Sequence, residues 1–217
     1  MRTIETGVDR GRRPRVLLAL LAGSLSVPED LVREGFPDAV RAHGIDADLV
    51  LGETRAAWFA DGSMVGRIED AVVAPARGRG HTRIWLAGIS LGGLAAVCYS
   101  ARHEDELEGL ALISPYPATR EVLREMDAAG GPQEWQPEIP PEGDLEREAW
   151  RWLADGGARR APVHCYIATE DRFVDGQRRM ASTLDPDRVH EMPGGHDWAA
   201  WRALWDEFLT DSKASLQ

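Results

Sequence analysis

Apolar residues gather in short runs of strand length at 15–22, 47–51, 83–88, 107–114, 162–169 and 188–192. Helical patterns at 28–43, 64–77, 91–103, 175–184 and 196–210 separate most of these runs. Strands alternating with helices predict an α/β fold with a mostly parallel, doubly wound sheet of about six strands, covered by helices on both faces. Gly44 directly follows the first helical pattern, where a left-handed cap is expected.

The alternation breaks down over 116–160, which holds Gly130-Gly131-Pro132, then Pro137, Pro140 and Pro141, with short helical patterns at 119–129 and 144–154. A connection of that length is expected to be a lid or substrate-binding insertion, or else a surface loop. Trp135, Trp150 and Trp152 favour the former, either by lining an acyl or aromatic pocket or by anchoring the insertion to the core. The chain of 217 residues is long enough for one substantial core. The expected organisation is a single domain over 15–212, preceded by a disordered, arginine-rich arm at 1–14.

Charge and cysteine content narrow the function classes. The net charge of -11 is spread along the sequence, which gives no footing for nucleic acid or an anionic membrane. Cys98 and Cys165 show no metal-like spacing and suit buried thiols in a reducing, cytoplasmic setting. The apolar run ending near Ala22 is too short to span a bilayer and is needed as the first core strand, so it is not read as a signal peptide.

Candidate chemistry centres on Gly88-Ile89-Ser90-Leu91-Gly92, which follows the apolar run at 84–87 and opens a small-residue helical stretch. A serine presented on a sharp strand-to-helix turn needs nearly side-chain-free residues two before and two after it. A hydroxyl is a weak nucleophile alone and requires a base, with a carboxylate behind that base. Of six histidines, His43 and His103 fall near predicted helix ends and His81 before a strand, the places of solvated or capping residues. His164 and His190 sit within predicted strands as core histidines, which leaves His196, just after Pro193-Gly194-Gly195. Trp198, Trp201, Trp205 and Phe208 follow at helical intervals, and that stripe is expected to pack on the core and fix the histidine loop. Asp197 is expected to start this helix.

The acid is expected just past the run at 162–169, where Glu170, Asp171 and Asp175 are available. Loop position favours Asp171 over Asp175, which reads as a helix cap, and over Glu170, which reads as solvated. An oxyanion hole needs two donors: the Leu91 N–H at the start of the helix, and the Ser24 N–H in the loop after the first strand, with Leu25 one step behind. Leu25, Tyr116 and Trp135 are the candidate substrate-binding side chains, with Trp58 a further aromatic whose direction the sequence leaves open.

The order strand, Gly-x-Ser-x-Gly-Gly, helix, loop Asp, then Gly-Gly-His-Asp-Trp before a terminal helix resembles the α/β-hydrolase superfamily over about residues 14–209. The ending Gly195-His196-Asp197-Trp198 with Trp201 is similar to the esterase group that includes feruloyl esterases and mycolyltransferases. The resemblance implies a compact hydrolase fold with Ser90 as nucleophile, Asp171 as acid, His196 as base and the Leu91 and Ser24 amides as oxyanion hole. Two features depart from it: the chain begins at what would be the third strand, and no His-Gly precedes the oxyanion loop. The expected activity is hydrolysis of a small-molecule carboxylic ester or thioester through an acyl-enzyme on Ser90, with no metal or organic cofactor. An acyltransferase using the same triad, or a non-catalytic binding protein on the same fold, are the alternatives.

Overall fold

The computed structural model describes residues 1–6, 15–135, 143–159 and 161–216. Seven strands, β1 (Thr3–Thr6), β2 (Val16–Leu21), β3 (Ala47–Gly52), β4 (Arg83–Ile89), β5 (Gly109–Ile113), β6 (Val163–Ala168) and β7 (Val189–Met192), form one sheet. Their order is β1-β3-β2-β4-β5-β6-β7, and every neighbouring pair is parallel except β1 with β3. All six predicted runs are strands of this sheet.

β1 corrects the expectation of a disordered arm. Thr3–Thr6 pairs antiparallel with β3, from Thr3 opposite Gly52 to Thr6 opposite Leu49, and the Arg2 N–H donates to the buried Glu53 carboxylate at 2.9 Å. The sheet therefore opens on an antiparallel edge strand rather than on β2. Four residues are too few to display a period, so this strand exists through its partner rather than its own pattern. The remainder of the arm, 7–14, lies outside the described residues.

Alternate residues of the central strands feed two cores. Leu17, Ala19 and Leu21 of β2 and Ile84 and Leu86 of β4 pack with α6 (Leu91–Arg102), whereas Val16, Leu18, Leu20, Trp85 and Ala87 pack with helices of the opposite layer. That layer is α1 (Pro28–Arg33), α2 (Phe36–Ala42) and α10 (Trp198–Asp211). Strands buried on both faces must be apolar throughout, which is why they read as continuous runs.

Two predicted helices are interrupted. The pattern at 28–43 divides into α1 and α2 at Gly35, whose φ is 84°. Pro37 has no N–H to continue the first helix, and Gly35 adopts the left-handed turn without a Cβ penalty. The pattern at 64–77 becomes α4 (Met64–Ile68), a π-helical turn over Glu69–Val73 and α5 (Ala74–Gly78), the ladder slipping ahead of Pro75. A short α3 (Ala56–Ala60) follows β3 and was not anticipated.

The insertion contributes α7 (Arg120–Ala129) and α8 (Leu145–Ala154), close to the two predicted patterns. Pro137, Pro140 and Pro141 lie outside the described residues. The three insertion tryptophans act as anchors: Trp135, Trp150 and Trp152 are buried in the core, the latter two on α8 against α6, and the Trp150 indole N–H donates to the Pro117 carbonyl at 2.8 Å. The amphipathic α8 gives its apolar face to α6, so Trp150 and Trp152 turn away from solvent-filled space. α9 (Val174–Ala181) completes the fold.

Candidate active site

Ser90 sits where β4 turns into α6, with φ 52° and ψ -117°, a conformation L-residues avoid unless the surroundings enforce it. Sterics supply the enforcement. A Cβ on Gly88 would lie 2.1 Å from the Gly92 carbonyl group, and one on Gly92 would lie 2.2 Å from the Leu21 carbonyl oxygen. Both obstacles are backbone and cannot move aside. The turn is tied to β5 by the Ser90 N–H on the Ile113 carbonyl at 3.0 Å, and the Tyr116 N–H returns to the Ser90 carbonyl at 2.8 Å.

The location follows from topology. β2 pairs with β3 on one side and β4 on the other, so strand order reverses there and the loops leaving β2 and β4 part to open a crevice. Gly23 borders the elbow, since a Cβ on it would be 3.6 Å from the Ser90 Cβ. The buried Thr54 hydroxyl donates to the Ala22 carbonyl at 2.6 Å, so the loop after β3 braces the loop after β2.

The loops after β6 and β7 are joined by the Thr169 N–H on the Met192 carbonyl at 2.9 Å and the Glu170 N–H on the Gly194 carbonyl at 2.8 Å. This pairing brings Asp171 and His196 together. His196 Nδ1 lies 2.6 Å from Asp171 Oδ2, and His196 Nε2 lies 3.0 Å from Ser90 Oγ. The imidazole is held edge-on between Phe173 at 5.2 Å and Trp201 at 5.0 Å, so the aromatic stripe of α10 reaches the histidine itself. Asp197 caps α10, accepting the Ala200 N–H at 3.0 Å. Asp175 lies in the first turn of α9, whose N-cap is Phe173 rather than Asp175.

Asp171 is 2 % exposed. Burial by itself raises the carboxyl, but hydrogen bonds from His196, Gln177 and the Phe173 N–H outweigh it and hold Asp171 below the usual carboxylate value. Gln177 Nε2 donates at 2.9 Å to the same Oδ2 that faces His196, and the Phe173 N–H donates to Oδ1 at 2.8 Å. Gln177 was not foreseen: a polar residue in a short helical pattern gives no local sign that it turns inward.

Leu91 is the first residue of α6 and so has no intrahelical acceptor for its N–H. The Ser24 N–H makes no hydrogen bond among the described residues, and Ser24, Ser90 and Leu91 line one cleft of about 550 Å³. Apolar lining comes from Ala56, Phe59 and Ala60 of α3, with Tyr116, Leu145 and Phe173, and charged lining from Glu121, Asp144, Glu146, Arg147 and Arg172. Of the proposed substrate-binding side chains, Tyr116 lines this cleft. Leu25 projects into solvent, 97 % exposed, and Trp135 and Trp58 are buried in the core. Phe59, Arg172 and Phe173 were missed, the first because α3 is too short for a pattern of its own.

The other histidines sort by environment. His43 and His103 cap α2 and α6 as expected. His81 is a correction, buried rather than solvated, with Nδ1 at 3.0 Å from the Ala76 carbonyl and Nε2 at 2.9 Å from Asp48. Among the described residues two clusters have metal-like spacing, Glu69 with His103 and Glu106, and His190 with Glu207 and Asp211; neither includes a cleft residue, and Glu106 already bonds Arg77 and Tyr99.

A strained serine, an imidazole and a buried carboxylate in one hydrogen-bonded line beside a cleft are the equipment of acyl transfer. A family model named Esterase matches residues 68–211, from the end of α4 through the loops that carry Ser90, Asp171 and His196 to the end of α10. The chain belongs to the Esterase family. No curated protein matches it by sequence. Among solved structures, this Esterase-family enzyme is similar to Est1E from Butyrivibrio proteoclasticus, at 17% identity and TM-score 0.65, covering 98% of this chain and 94% of that one. A ferulic acid esterase matches at 15% identity and TM-score 0.61 over 100% and 98% of the two chains. FphF, a fluorophosphonate-binding serine hydrolase of Staphylococcus aureus, matches at 12% and 0.64 over 96% and 86%. At these identities the likeness is one of fold, the α/β-hydrolase fold. No helix among the described residues is long and apolar enough to cross a membrane.

Proposed function

We propose that this Esterase-family hydrolase cleaves a small-molecule carboxylic ester or thioester by two acyl transfers through Ser90. The observation that carries the reading is the unbroken line from Ser90 Oγ to His196 Nε2 at 3.0 Å and from His196 Nδ1 to Asp171 Oδ2 at 2.6 Å. Ser90 Oγ attacks the carbonyl carbon while its proton passes to His196 Nε2. Asp171 keeps the other imidazole proton on Nδ1 and stabilises the imidazolium. The oxyanion is received by the N–H groups of Leu91 and Ser24, the former at the positive end of α6. The tetrahedral species collapses, His196 gives its proton to the departing alcohol or thiol, and water repeats the sequence on the acyl-enzyme. The nucleophile, the base, the acid and both oxyanion donors in these steps are supplied by the chain itself.

The insertion is read as the substrate-binding element, because Thr119, Glu121, Leu145 and Glu146 form one wall of the cleft. A cytoplasmic setting is supported by Cys98 and Cys165, both free and buried thiols. The test is turnover of a short p-nitrophenyl ester and labelling by a fluorophosphonate. Ser90→Ala is expected to abolish both while retaining the circular dichroism of the parent. Persistent turnover in the folded variant would refute the assignment, and product analysis with added alcohols separates hydrolysis from acyl transfer.

A further inference from the structure

Two arginines line the cleft, and their surroundings differ. Arg147 is taken up by the insertion: it bonds Asp144 at 2.7 Å and Glu121 at 3.2 Å, and it pairs with Glu125. The remaining cleft carboxylate, Glu146, accepts the Thr119 N–H at 2.9 Å. Arg172 has no carboxylate within ion-pair distance among the described residues. Its guanidinium instead lies 4.8 Å over the Phe173 ring.

That ring belongs to the catalytic neighbourhood. Phe173 stands edge-on to His196 at 5.2 Å and to Tyr116 at 5.3 Å. Steps of 4.8 Å and 5.2 Å put the guanidinium within about 10 Å of the imidazole. Contact with an aromatic ring occupies none of the guanidinium N–H groups with an acceptor, so they stay available to a planar, bidentate one. A protein with net charge -11 repels anions at long range, and the exposed, unpaired Arg172 at the cleft offers them a cation at short range.

We propose that Arg172 is a specificity residue that binds a carboxylate carried by the substrate a few bonds from the scissile carbonyl. The inference rests on the Ser90 reading above. In the acyl moiety such a carboxylate corresponds to the monoester of a dicarboxylic acid of about four to six carbons, which spans roughly 4–6 Å between its two carboxyl carbons. In the leaving group it corresponds to a carboxylate-bearing alcohol or phenol. The common chemistry is an anionic ester gripped by a guanidinium edge, beside an apolar wall that takes the remainder of the substrate.

The test compares kcat/KM for two matched pairs. Mono-p-nitrophenyl glutarate against p-nitrophenyl butyrate places the charge on the acyl side. 4-Carboxyphenyl butyrate against 4-carbamoylphenyl butyrate places it on the leaving group. In at least one pair the anionic ester is expected to be preferred about fivefold to tenfold, and that pair identifies the side. Arg172→Gln is expected to bring the ratio to one or below, Arg172→Lys to retain part of it, and 0.5 M sodium chloride to erase most of it in the parent. No preference in either pair, or an Arg172→Gln variant that lowers both members of a pair equally, would overturn the proposal. Failure of the Ser90 reading is seen separately, as turnover of the neutral butyrate by Ser90→Ala.

Discussion

Asp171→Asn exposes the logic of the site because the change keeps volume and reverses one polarity. All three groups around Asp171 are donors: the Phe173 N–H faces Oδ1 at 2.8 Å, and Gln177 Nε2 and His196 Nδ1 face Oδ2 at 2.9 Å and 2.6 Å. An asparagine NH2 must replace one of the oxygens. Toward Phe173 it meets a backbone N–H that cannot rotate. Toward Oδ2 it is accommodated, because the Gln177 Oε1 is buried without a partner and a turned amide presents it as an acceptor. His196 Nδ1 must then accept, which shifts the imidazole proton to Nε2, the atom 3.0 Å from Ser90 Oγ. That nitrogen can no longer receive the serine proton. The expected loss in kcat is about 10⁴-fold, near 5.5 kcal/mol of barrier. Stability should fall by about 1–3 kcal/mol, because the turned Gln177 leaves its Nε2 in the buried place where Oε1 had no partner. The assay is kcat on p-nitrophenyl butyrate at pH 7 alongside a thermal melt. A folded variant with kcat within tenfold of the parent would refute the tautomer argument and Asp171 as the orienting acid.

Two further outcomes follow from groups outside the triad. Gln177→Met removes one donor from Asp171 Oδ2, leaving a more basic carboxylate that strengthens the hold on the His196 proton. The acid limb of the pH profile of kcat/KM should move upward, with about 1–3 kcal/mol of stability lost, and an unmoved limb would show that Gln177 serves packing alone. His164 is lowered to about 4 by burial and by the nearby Arg188 and His190 charges. The unfolded chain protonates this group near pH 6.5 and the folded one only near 4, so stability should fall as pH drops through that window, by about 2–3 kcal/mol at most. Urea unfolding at pH 7 and pH 4.5 measures the slope; His164→Gln should flatten it, and an unchanged slope would assign the dependence to other groups.

The sheet was legible because its strands are buried on both faces, and a continuous apolar run bounded by turns is a local signal. β1 was not, since Thr3–Thr6 is held by a register with β3 that its four residues do not display. The break at Gly35 and Pro37 is written in the sequence as two helix breakers flanking Phe36, yet the apolar spacing across it reads as one helix. Aromatic residues of the insertion announce burial without direction. Trp135 therefore read as a pocket residue, whereas it is buried in the core. Arg172 and Arg147 look alike in the chain, and only the carboxylates facing each one distinguish them.

By itself the sequence determined the layered α/β architecture and the serine turn. Hydrophobic period and the collision of a Gly88 Cβ with the Gly92 backbone are properties of contiguous chain, whereas the limit on Gly92 comes from the Leu21 carbonyl of a neighbouring strand. Tertiary structure alone decided that His196, 106 positions from Ser90, approaches its hydroxyl, that Gln177 turns inward to Asp171, and that α3 and the insertion wall the cleft. Those outcomes depend on how the loops after β6 and β7 pair and on which side of the sheet each helix docks, interactions between distant segments that no local pattern encodes.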